Sequence, residues 1–285
     1  MKRKNILFTA KDNLVSGENF QVLWNEKKQR GETIISRHND LSKYYSSKYY
    51  ISHKENKAGL VDNLYFTVQK WIFNYKAKLI NRYTNGKKIL DYGSGIGNFG
   101  RHMANLNYNV SLLEPNNKAR FFSKNQGLNT HRNIEELSDG EQFNLISLWH
   151  VLEHLSEPEN VLLSLHKCLT NQGLIFVAVP NFKSYDACFY RSDWAALDVP
   201  RHLWHFTTPG MKSMFNALGF KFKAKHPLWF DAFYISYLSE KHLRSRFPLF
   251  KGLLRGFISN INALFSGEYS SLIYVFEKTS NITED

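Results

Sequence analysis

Residues 88–98 read KILDYGSGIGN, a short strand-like run followed by three glycines at alternate positions. The run 88–92 is a candidate for a strand buried in a parallel sheet. Gly93, Gly95 and Gly97 then allow a tight turn and a close approach of the backbone to a ligand. A helix that begins directly after the turn would point its first N–H groups at an anionic group. The stretch therefore predicts a strand–turn–helix unit with a ligand at the turn.

Outward from this unit, strand and helix patterns alternate along the chain. A helical period of apolar residues precedes it at 60–83. Further strands are predicted at 110–114, 128–132, 143–148, 174–179, 220–225 and 271–278, with helices at 117–125, 157–169 and 208–218. This alternation predicts an α/β fold, a doubly wound and mostly parallel sheet of seven strands with helices on both faces.

The predicted sheet does not account for the whole chain. Residues 1–58 form an amino-terminal extension that we expect to be helical, and residues 59–285 form the main domain. Two insertions interrupt that domain, a loop-rich aromatic one at 181–206 and a helical one at 227–268. We expect both insertions to form a cap, because ligands of open α/β sheets lie beyond the carboxyl ends of the strands.

Composition limits the class of protein. Of the 285 residues, 43% are hydrophobic and 15% aromatic, which excludes a disordered chain. No apolar run approaches the roughly 18 residues of a membrane span, and the first residues lack the pattern of a secretion signal. The two cysteines, Cys168 and Cys188, exclude a disulfide framework and a zinc site of cysteines alone. A cytoplasmic location is therefore expected.

The net charge and one apolar stripe indicate what kinds of partner the protein could bind. The formal net charge is +12, which favours anionic partners. The lysines and arginines are spread along the chain, which argues against nucleic acid. The stretch 247–265 carries an apolar stripe at helical spacing. Such a face most often packs on the core or at a homodimer interface; peripheral contact with a membrane, at its inner face, is the alternative.

Three motifs resemble the class I S-adenosylmethionine-dependent methyltransferases. Asp91 precedes the first glycine by two residues, and Glu114 ends the next strand, about 20 residues on, where a carboxylate can accept from ribose hydroxyls. The segments 148–155 (LWHVLEHL) and 198–207 (DVPRHLWHFT) are similar to the subgroup that includes the ubiquinone-biosynthesis O-methyltransferases. The resemblance covers 87–180 well and implies a Rossmann-like fold with S-adenosylmethionine as the cofactor.

The resemblance also implies where the cofactor binds. In that family the glycine turn wraps the methionine part, and an aspartate at the position of Asp91 orients the turn. Asn133 stands where many relatives have aspartate, and its amide oxygen can still accept from the adenine amino group. The implied cofactor-binding residues are Asp91, Gly93, Ser94, Gly95, Gly97, Asn98, Glu114, Pro115, Asn133, Ile134, Trp149 and His150.

Methyl transfer to oxygen or nitrogen also needs a base, and histidine titrates in the right range. His150 and His154 follow the strand 143–148 and are the candidate catalytic residues; structural packing is the alternative for His154. Some relatives bind a divalent ion through a Glu-x-x-Glu-His set, for which this chain has His150, Glu153 and His154. Imidazole suits a transition metal rather than magnesium. Because spacing alone does not show convergence, we predict no metal.

The insertion 181–206 supplies the candidate substrate residues. These are Tyr185, Trp194, Arg201, His202 and His205. A packed aromatic subcore is the alternative for this cluster, an ion pair with Asp198 is the alternative for Arg201, and the two histidines could complete a metal site. The predicted function is methylation of an oxygen on a small or lipid-linked acceptor. A non-catalytic binding module on the same fold and a nucleic-acid methyltransferase stay open.

Overall fold

The computed structural model describes residues 5–35, 40–45 and 60–279. In chain order the strands are β1 (Asn5–Lys11), β2 (Asn19–Asn25), β3 (Arg30–Thr33), β4 (Lys88–Tyr92), β5 (Asn109–Leu113), β6 (Asn129–His131), β7 (Phe143–Trp149), β8 (Leu169–Pro180), β9 (Trp204–His205), β10 (Phe220–Pro227) and β11 (Ser271–Lys278). The α-helices are α1 (Leu60–Tyr83), α2 (Asn98–Ala104), α3 (Asn117–Asn125), α4 (Pro158–Cys168), α5 (Tyr185–Tyr190), α6 (Thr208–Ala217), α7 (Trp229–His242) and α8 (Pro248–Ser266).

Seven of these strands form the main sheet, in the order β10-β11-β8-β7-β4-β5-β6. Neighbours from β8 to β6 run parallel, whereas β11 is antiparallel to both β8 and β10. The predicted α/β fold with a seven-stranded, mostly parallel sheet is confirmed. The winding reverses between β4 and β7, so the glycine turn after β4 opens at the point where doubly wound sheets bind ligands.

Helices cover both faces of this sheet, as predicted. On one face α1 and α2 bury apolar side chains such as Ile80 and Met103 against the strands. On the other face α4 and α6 contribute Leu165 and Phe215. Full burial of a side chain of this kind stabilises the fold by about 1.5–3 kcal/mol relative to leaving it exposed. The two layers fix the strand ends that carry the site.

The described part of the amino-terminal extension, residues 5–35 and 40–45, is mainly β-structure, which corrects the helix expected for it. Strands β1, β2 and β3 pair antiparallel, and β3 pairs with β9 of the aromatic insertion. Phe20 and Val22 are buried at alternate positions of β2, the period of a strand. The Asp12 carboxylate holds the turn after β1 by accepting from the Ser16 amide at 2.8 Å. The alternation in β2 is a local signal of a strand, whereas the pairing of β3 with β9 has no local signal because β9 comes from a distant part of the chain. The predicted boundary at 58/59 lies outside the described residues.

Helices α7 and α8 fill the predicted insertion at 227–268 and pack against each other. The inner face of α8 consists of small buried residues: Gly252, Gly256, Ser259 and Ala263. Its large apolar residues are exposed, so the interpretation that the 247–265 stripe packs on the core is wrong. The close contact of the two helices leaves no room for large side chains between them. Within the described part of the chain, no helix has both the length and the hydropathy to cross a bilayer.

Candidate functional site

The three glycines after β4 form a turn with left-handed backbone angles. Their φ angles are +71° at Gly93, +55° at Gly95 and +78° at Gly97, which other residues rarely adopt. A Cβ at Gly93 would lie 2.5 Å from the Val151 side chain, so there is no space for a ligand atom at that position. A Cβ at Gly95 would meet nothing within 4 Å. The turn is therefore open at Gly95, where ligand atoms can lie against the backbone.

Glu114 follows β5 and holds this turn in place. One carboxylate oxygen accepts from the Gly95 amide and the other from the Asn116 amide, each at 2.8 Å. A carboxylate offers about four acceptor positions, so hydroxyl groups of a ligand can still bind it. Asn98 begins α2 after the turn, and Pro115 is exposed beside Glu114.

Asp91 is a buried carboxyl on β4, two residues before the turn. The Ser147 hydroxyl donates to it at 2.6 Å. Burial raises the pKa of Asp91 to about 7, against the opposing effects of the Ser147 hydrogen bond and the Lys76 ammonium. A cationic ligand group beside Asp91 would favour the ionised carboxylate. The position is therefore suited to an ammonium group.

Lys76 on α1 is a site residue that sequence reasoning missed. It is buried, and burial lowers its pKa to about 8, although Asp231 and Asp91 favour the charged form. Its ammonium lies 4.0 Å from the centre of the Trp149 ring, a cation–π contact. The signal that could have revealed it is its place on the apolar face of the helix 60–83, where a cation needs a partner.

Two buried polar atoms near the turn have no hydrogen-bond partner among the described residues: Ser94 Oγ and Trp149 Nε1. Buried polar groups are nearly always paired, so these atoms suit a bound ligand that supplies the missing partner. The open backbone at Gly95 and the opposite charges of Asp91 and Lys76 add to this fit. Together they suit a ligand with both an ammonium and a carboxylate.

The predicted adenine contacts lie on the next strand of the same edge. Asn133 and Ile134 follow β6, at the start of a 3₁₀ turn, Ile134–Glu136. Asn133 is exposed and Ile134 is partly buried. Since β6 pairs with β5, both residues lie on the same side of the glycine turn as Glu114.

His150 follows β7 with a φ of +56°, uncommon for a residue with a side chain. Its Nδ1 lies 3.3 Å from Glu153, and its Nε2 lies 3.4 Å from Asp231 on α7. Burial alone would lower the pKa of His150, but hydrogen bonds to Asp231 and Glu153 raise it to about 9. A ring protonated at neutral pH has no lone pair for another proton. In this arrangement His150 joins α7 to the site.

His154 is the neutral histidine of the two. Its Nδ1 lies 3.0 Å from the Arg201 carbonyl oxygen. Because a carbonyl only accepts, Nδ1 carries the hydrogen and Nε2 has the lone pair. Burial, with the neighbouring His202, lowers the pKa of His154 to about 4. The Tyr45 hydroxyl lies 3.3 Å from the same Nδ1, so the extension reaches the site through a residue that was not predicted.

Within the described part of the chain, Glu153, His154 and His202 bring one potential metal-ligand atom each within 4.8 Å of the others. His202 donates Nδ1–H to a backbone carbonyl at 2.8 Å, as metal-binding histidines do, and its Nε2 lies 3.9 Å from Asp198. One oxygen of Glu153 is buried without a partner among the described residues. The group differs from the set considered from spacing, because His150 pairs with carboxylates and His202 takes its place.

We expect the metal-stripped protein to bind Zn²⁺ through Glu153, His154 and His202, because two imidazoles and a carboxylate form a known three-ligand zinc set. His202→Asn should weaken zinc affinity at least about tenfold, measured by competition with a chromophoric chelator. His226→Asn, outside the group, should leave the affinity unchanged. No zinc binding, or equal zinc binding by both variants, would exclude this group as a metal site.

Arg201, a predicted substrate residue, is buried and fully paired inside the protein. Its guanidinium lies 2.9 Å from Asp12 of the extension and 2.7 Å from Asp198. It also donates to the Tyr44 carbonyl at 3.2 Å. The ion pair with Asp198, weighed as the alternative from the sequence, is present. Arg201 therefore ties the extension to the aromatic insertion.

Each of the other four predicted substrate residues has partners inside the protein. Trp194 is buried and donates to a buried aspartate at 2.8 Å. His205 is buried 2.9 Å from the Thr33 hydroxyl. Tyr185 lies on α5, 3.5 Å from a guanidinium nitrogen of α8. His202 contacts His154, with ring centres 4.6 Å apart. Of the five, His202 contacts His154 with its side chain, and Arg201 reaches His154 through its backbone carbonyl.

An aromatic recess opens between α1 and the first turn of α7. It is lined by Trp71, Ile72, Tyr75, Leu228, Trp229, Phe230 and Asp231. Asp231 also contacts His150, so the recess adjoins the charged groups of the site. The aromatic side chains pack against one another, with ring centres 5.0 Å apart for Trp71 and Phe230 and 5.1 Å apart for Tyr75 and Trp229. A ring-bearing ligand would therefore have to separate them. Asp231 was missed because the insertion has no motif that marks it.

Comparisons with known proteins agree with this geometry. A family described as "Methyltransferase domain" matches residues 68–224, more than half of the chain. A ubiquinone biosynthesis O-methyltransferase from Glaesserella parasuis is 28% identical over an alignment of 145 residues, and the match covers 45% of this chain and 61% of that protein. The chain thus spans about three fifths of the length of the curated relative that it matches.

Solved structures show the same fold. A magnesium protoporphyrin IX methyltransferase from Synechocystis PCC 6803 with bound SAH superposes with a TM-score of 0.54 at 10% identity, over 83% of this chain and 97% of that one. A possible histamine N-methyltransferase from Thermotoga maritima gives a TM-score of 0.52 at 14% identity, over 76% and 94% of the two chains.

Proposed function

The chain belongs to the family of methyltransferase domains, and we propose that it transfers the methyl group of S-adenosylmethionine to an oxygen atom of a small molecule. The observation that carries this proposal is the glycine turn, open at Gly95 between Asp91 and Glu114. Oxygen as the acceptor atom follows the names of the relatives, which are ubiquinone biosynthesis O-methyltransferases.

The chain's own residues can hold both ends of the cofactor. Asp91 accepts from the ammonium of the methionine part, and Lys76 pairs with its carboxylate. Glu114 accepts from the ribose hydroxyls, with the Gly95 backbone against the ligand between them. Once bound, the cofactor supplies a methyl group on a positively charged sulfur, which an aligned acceptor takes by in-line displacement.

In the metal-free protein, His154 is the residue that we propose as the base. Its Nδ1–H is held by the Arg201 carbonyl, so the lone pair of Nε2 can accept from an acceptor hydroxyl; the pKa lowered to about 4 keeps the ring neutral but makes it a weaker base than a free imidazole. His150 has a different role: it pairs with Glu153 and with Asp231 of α7, and so holds the α7 side of the recess next to β7. A metal ion on the Nε2 of His154 would occupy that lone pair and would supply Lewis acidity to the acceptor oxygen in place of a base.

We propose that the acceptor is lipid-linked and carries an apolar ring, which would enter between the aromatic side chains of the recess once they move apart. The aromatic walls of the recess, Trp71, Tyr75, Trp229 and Phe230, lead to Asp231. Trp71 and Phe230 are partly exposed, so a tail attached to the ring can leave the recess toward solvent. We further propose a cytoplasmic location, which the free thiols of Cys168 and Cys188 support.

Calorimetric titration with S-adenosylmethionine tests the cofactor site, and we expect micromolar affinity. Asp91→Asn should weaken the affinity about ten- to hundredfold, because the ammonium loses a charged partner. Affinity of the native protein should also fall below pH 7, by up to about tenfold per unit. The affinity falls at lower pH because Asp91, with its pKa raised to about 7, must lose its proton before it can pair with the cation.

The controls separate the site from the fold. Glu114→Ala should weaken cofactor binding, whereas Glu157→Ala, an exposed carboxylate outside the site, should not. Asp91→Asn should show no loss of affinity between pH 7 and pH 6. Folded native protein that binds no cofactor would contradict the proposal. Cofactor affinity without turnover over a panel of phenolic and lipid-linked acceptors would favour the non-catalytic binding module.

A further inference from the structure

Helix α8 packs on α7 through small residues that cannot be replaced by larger ones. A Cβ at Gly252 would lie 2.5 Å from the Tyr237 backbone, and one at Gly256 would lie 2.7 Å from the Phe233 backbone. The two helices therefore meet at backbone contact along the small-residue face of α8. The arrangement inverts the usual amphipathic helix, whose large apolar residues face the core.

The opposite face of α8 is large, apolar and exposed. We call it the outward face; its members are Leu249, Phe250, Leu253, Leu254, Phe257, Ile261, Leu264 and Phe265. Phe250 and Leu264 are each 70% exposed, and Phe265 is 88% exposed. A contiguous apolar patch of this kind marks an interaction surface. Its occupant must tolerate apolar side chains along almost the whole helix.

The charges around the outward face have one sign. Residues 241–267 contain no aspartate or glutamate. They contain five cationic residues: Lys241, Arg244, Arg246, Lys251 and Arg255. The first four are exposed. Within this segment the apolar surface is bordered by cations and by no acidic residue, which is complementary to a surface with negative charge above an apolar interior.

We propose that the outward face of α8 docks on a bilayer that contains anionic phospholipid. A second copy of the chain is the competing occupant, but a two-fold interface would bring the same patch against itself. Residues 241–267 of a second copy would offer the four exposed cations, Lys241, Arg244, Arg246 and Lys251, no carboxylate to pair with. A bilayer pairs the cations with phosphate headgroups and the apolar side chains with acyl chains.

The docked face adjoins the candidate site. The Asn260 amide of α8 donates to the Trp229 carbonyl at 3.0 Å, at the start of α7. Asp231 in the same turn contacts His150 and lines the aromatic recess. Docking would therefore hold the recess close to the membrane surface. The inference that it receives a lipid-borne acceptor there rests on the proposed function; the docking itself does not.

Vesicle flotation at low salt tests the docking. The full chain should float with vesicles of phosphatidylcholine and phosphatidylglycerol, and much less with phosphatidylcholine alone. Phe250→Glu with Phe257→Glu should lower the partition coefficient by at least about tenfold for each replaced side chain. The matched control is Phe121→Glu with Leu106→Glu, which changes the charge equally at exposed positions elsewhere and should float like the native protein.

Neutralising Lys241, Arg244 and Arg246 together, each to glutamine, should lower the partition coefficient about fivefold per residue. The same change at the exposed Lys118, Lys124 and Lys221 should have less effect. Folded protein that does not float, or that floats regardless of the α8 substitutions, would overturn the proposal. So would a dimer in light scattering that Phe250→Glu dissociates, since the face would then belong to a second copy. Cofactor titration of the same variants should match the native protein, which separates failed docking from failure of the proposed function.

Discussion

Gly95→Val should abolish high-affinity binding of S-adenosylmethionine, with a loss of at least about a hundredfold, or about 2.7 kcal/mol. The backbone at Gly95 has a φ of +55° and open space where a Cβ would lie. A branched side chain there would occupy the volume in which we place the ligand, and it would disturb the Gly95 amide that donates to Glu114 at 2.8 Å. Calorimetric titration measures the loss.

Gly140→Val is the matched control for this substitution. Gly140 has a φ of +72° and, like Gly95, no atom within 4 Å of a built Cβ. Both variants therefore carry a similar backbone strain, of about 1–3 kcal/mol, and thermal unfolding should show similar destabilisation. Cofactor affinity should change only in Gly95→Val. Equal affinity in both variants would mean that the ligand does not lie against this turn.

Arg201→Met should destabilise the protein by about 3–5 kcal/mol, because it leaves buried carboxylates without their partner. The Asp12 side chain is wholly buried against Arg201. Burial alone would raise the pKa of Asp12, but hydrogen bonds from Arg201 and the Ser16 amide lower it below its usual range. The ion pair thus stabilises the fold above the ordinary pKa of aspartate and less as the pH falls below it. Denaturant unfolding at pH 7 measures the cost.

A double substitution separates the pair from the packing. Asp12→Asn with Arg201→Met should cost less than the sum of the two single changes, because no uncompensated charge is left at Asp12. Arg132→Met, at an exposed arginine, should change the free energy of unfolding by no more than about 0.5 kcal/mol. A cost below about 1 kcal/mol for Arg201→Met would show that apolar contacts alone hold the extension.

The two catalytic histidine predictions show where sequence reasoning stops. His150 and His154 stand in one motif at the end of β7, and nothing in their spacing distinguishes their chemistry. In the fold, His150 has Asp231 of α7 as a neighbour, which raises its pKa, whereas burial beside His202 lowers the pKa of His154. Both partners come from insertions that are distant in sequence. The protonation state of each ring is therefore a tertiary property.

Lys76 shows the same limit of prediction from sequence. Its helix was predicted with the correct bounds, and its place on the apolar face was visible. Whether a lysine on that face reaches solvent or is buried beside Asp91 and Trp149 depends on how α1 packs against β4 and β7. The sequence marks such a residue as unusual but does not say which charge it meets.

By itself the sequence determined the succession of strands and helices along the main domain. It also determined the glycine turn, with Asp91 and Glu114 at its two sides. These follow from periodicity and from residues close together along the chain, which set backbone conformation locally. Only the tertiary structure decided that the extension is a sheet completed by β9, that Arg201 is an internal ion-pair partner, and that α8 exposes its large apolar face. Each of these depends on burial and on partners from remote segments, because solvent exposure and the neighbouring charges exist only once the chain has folded.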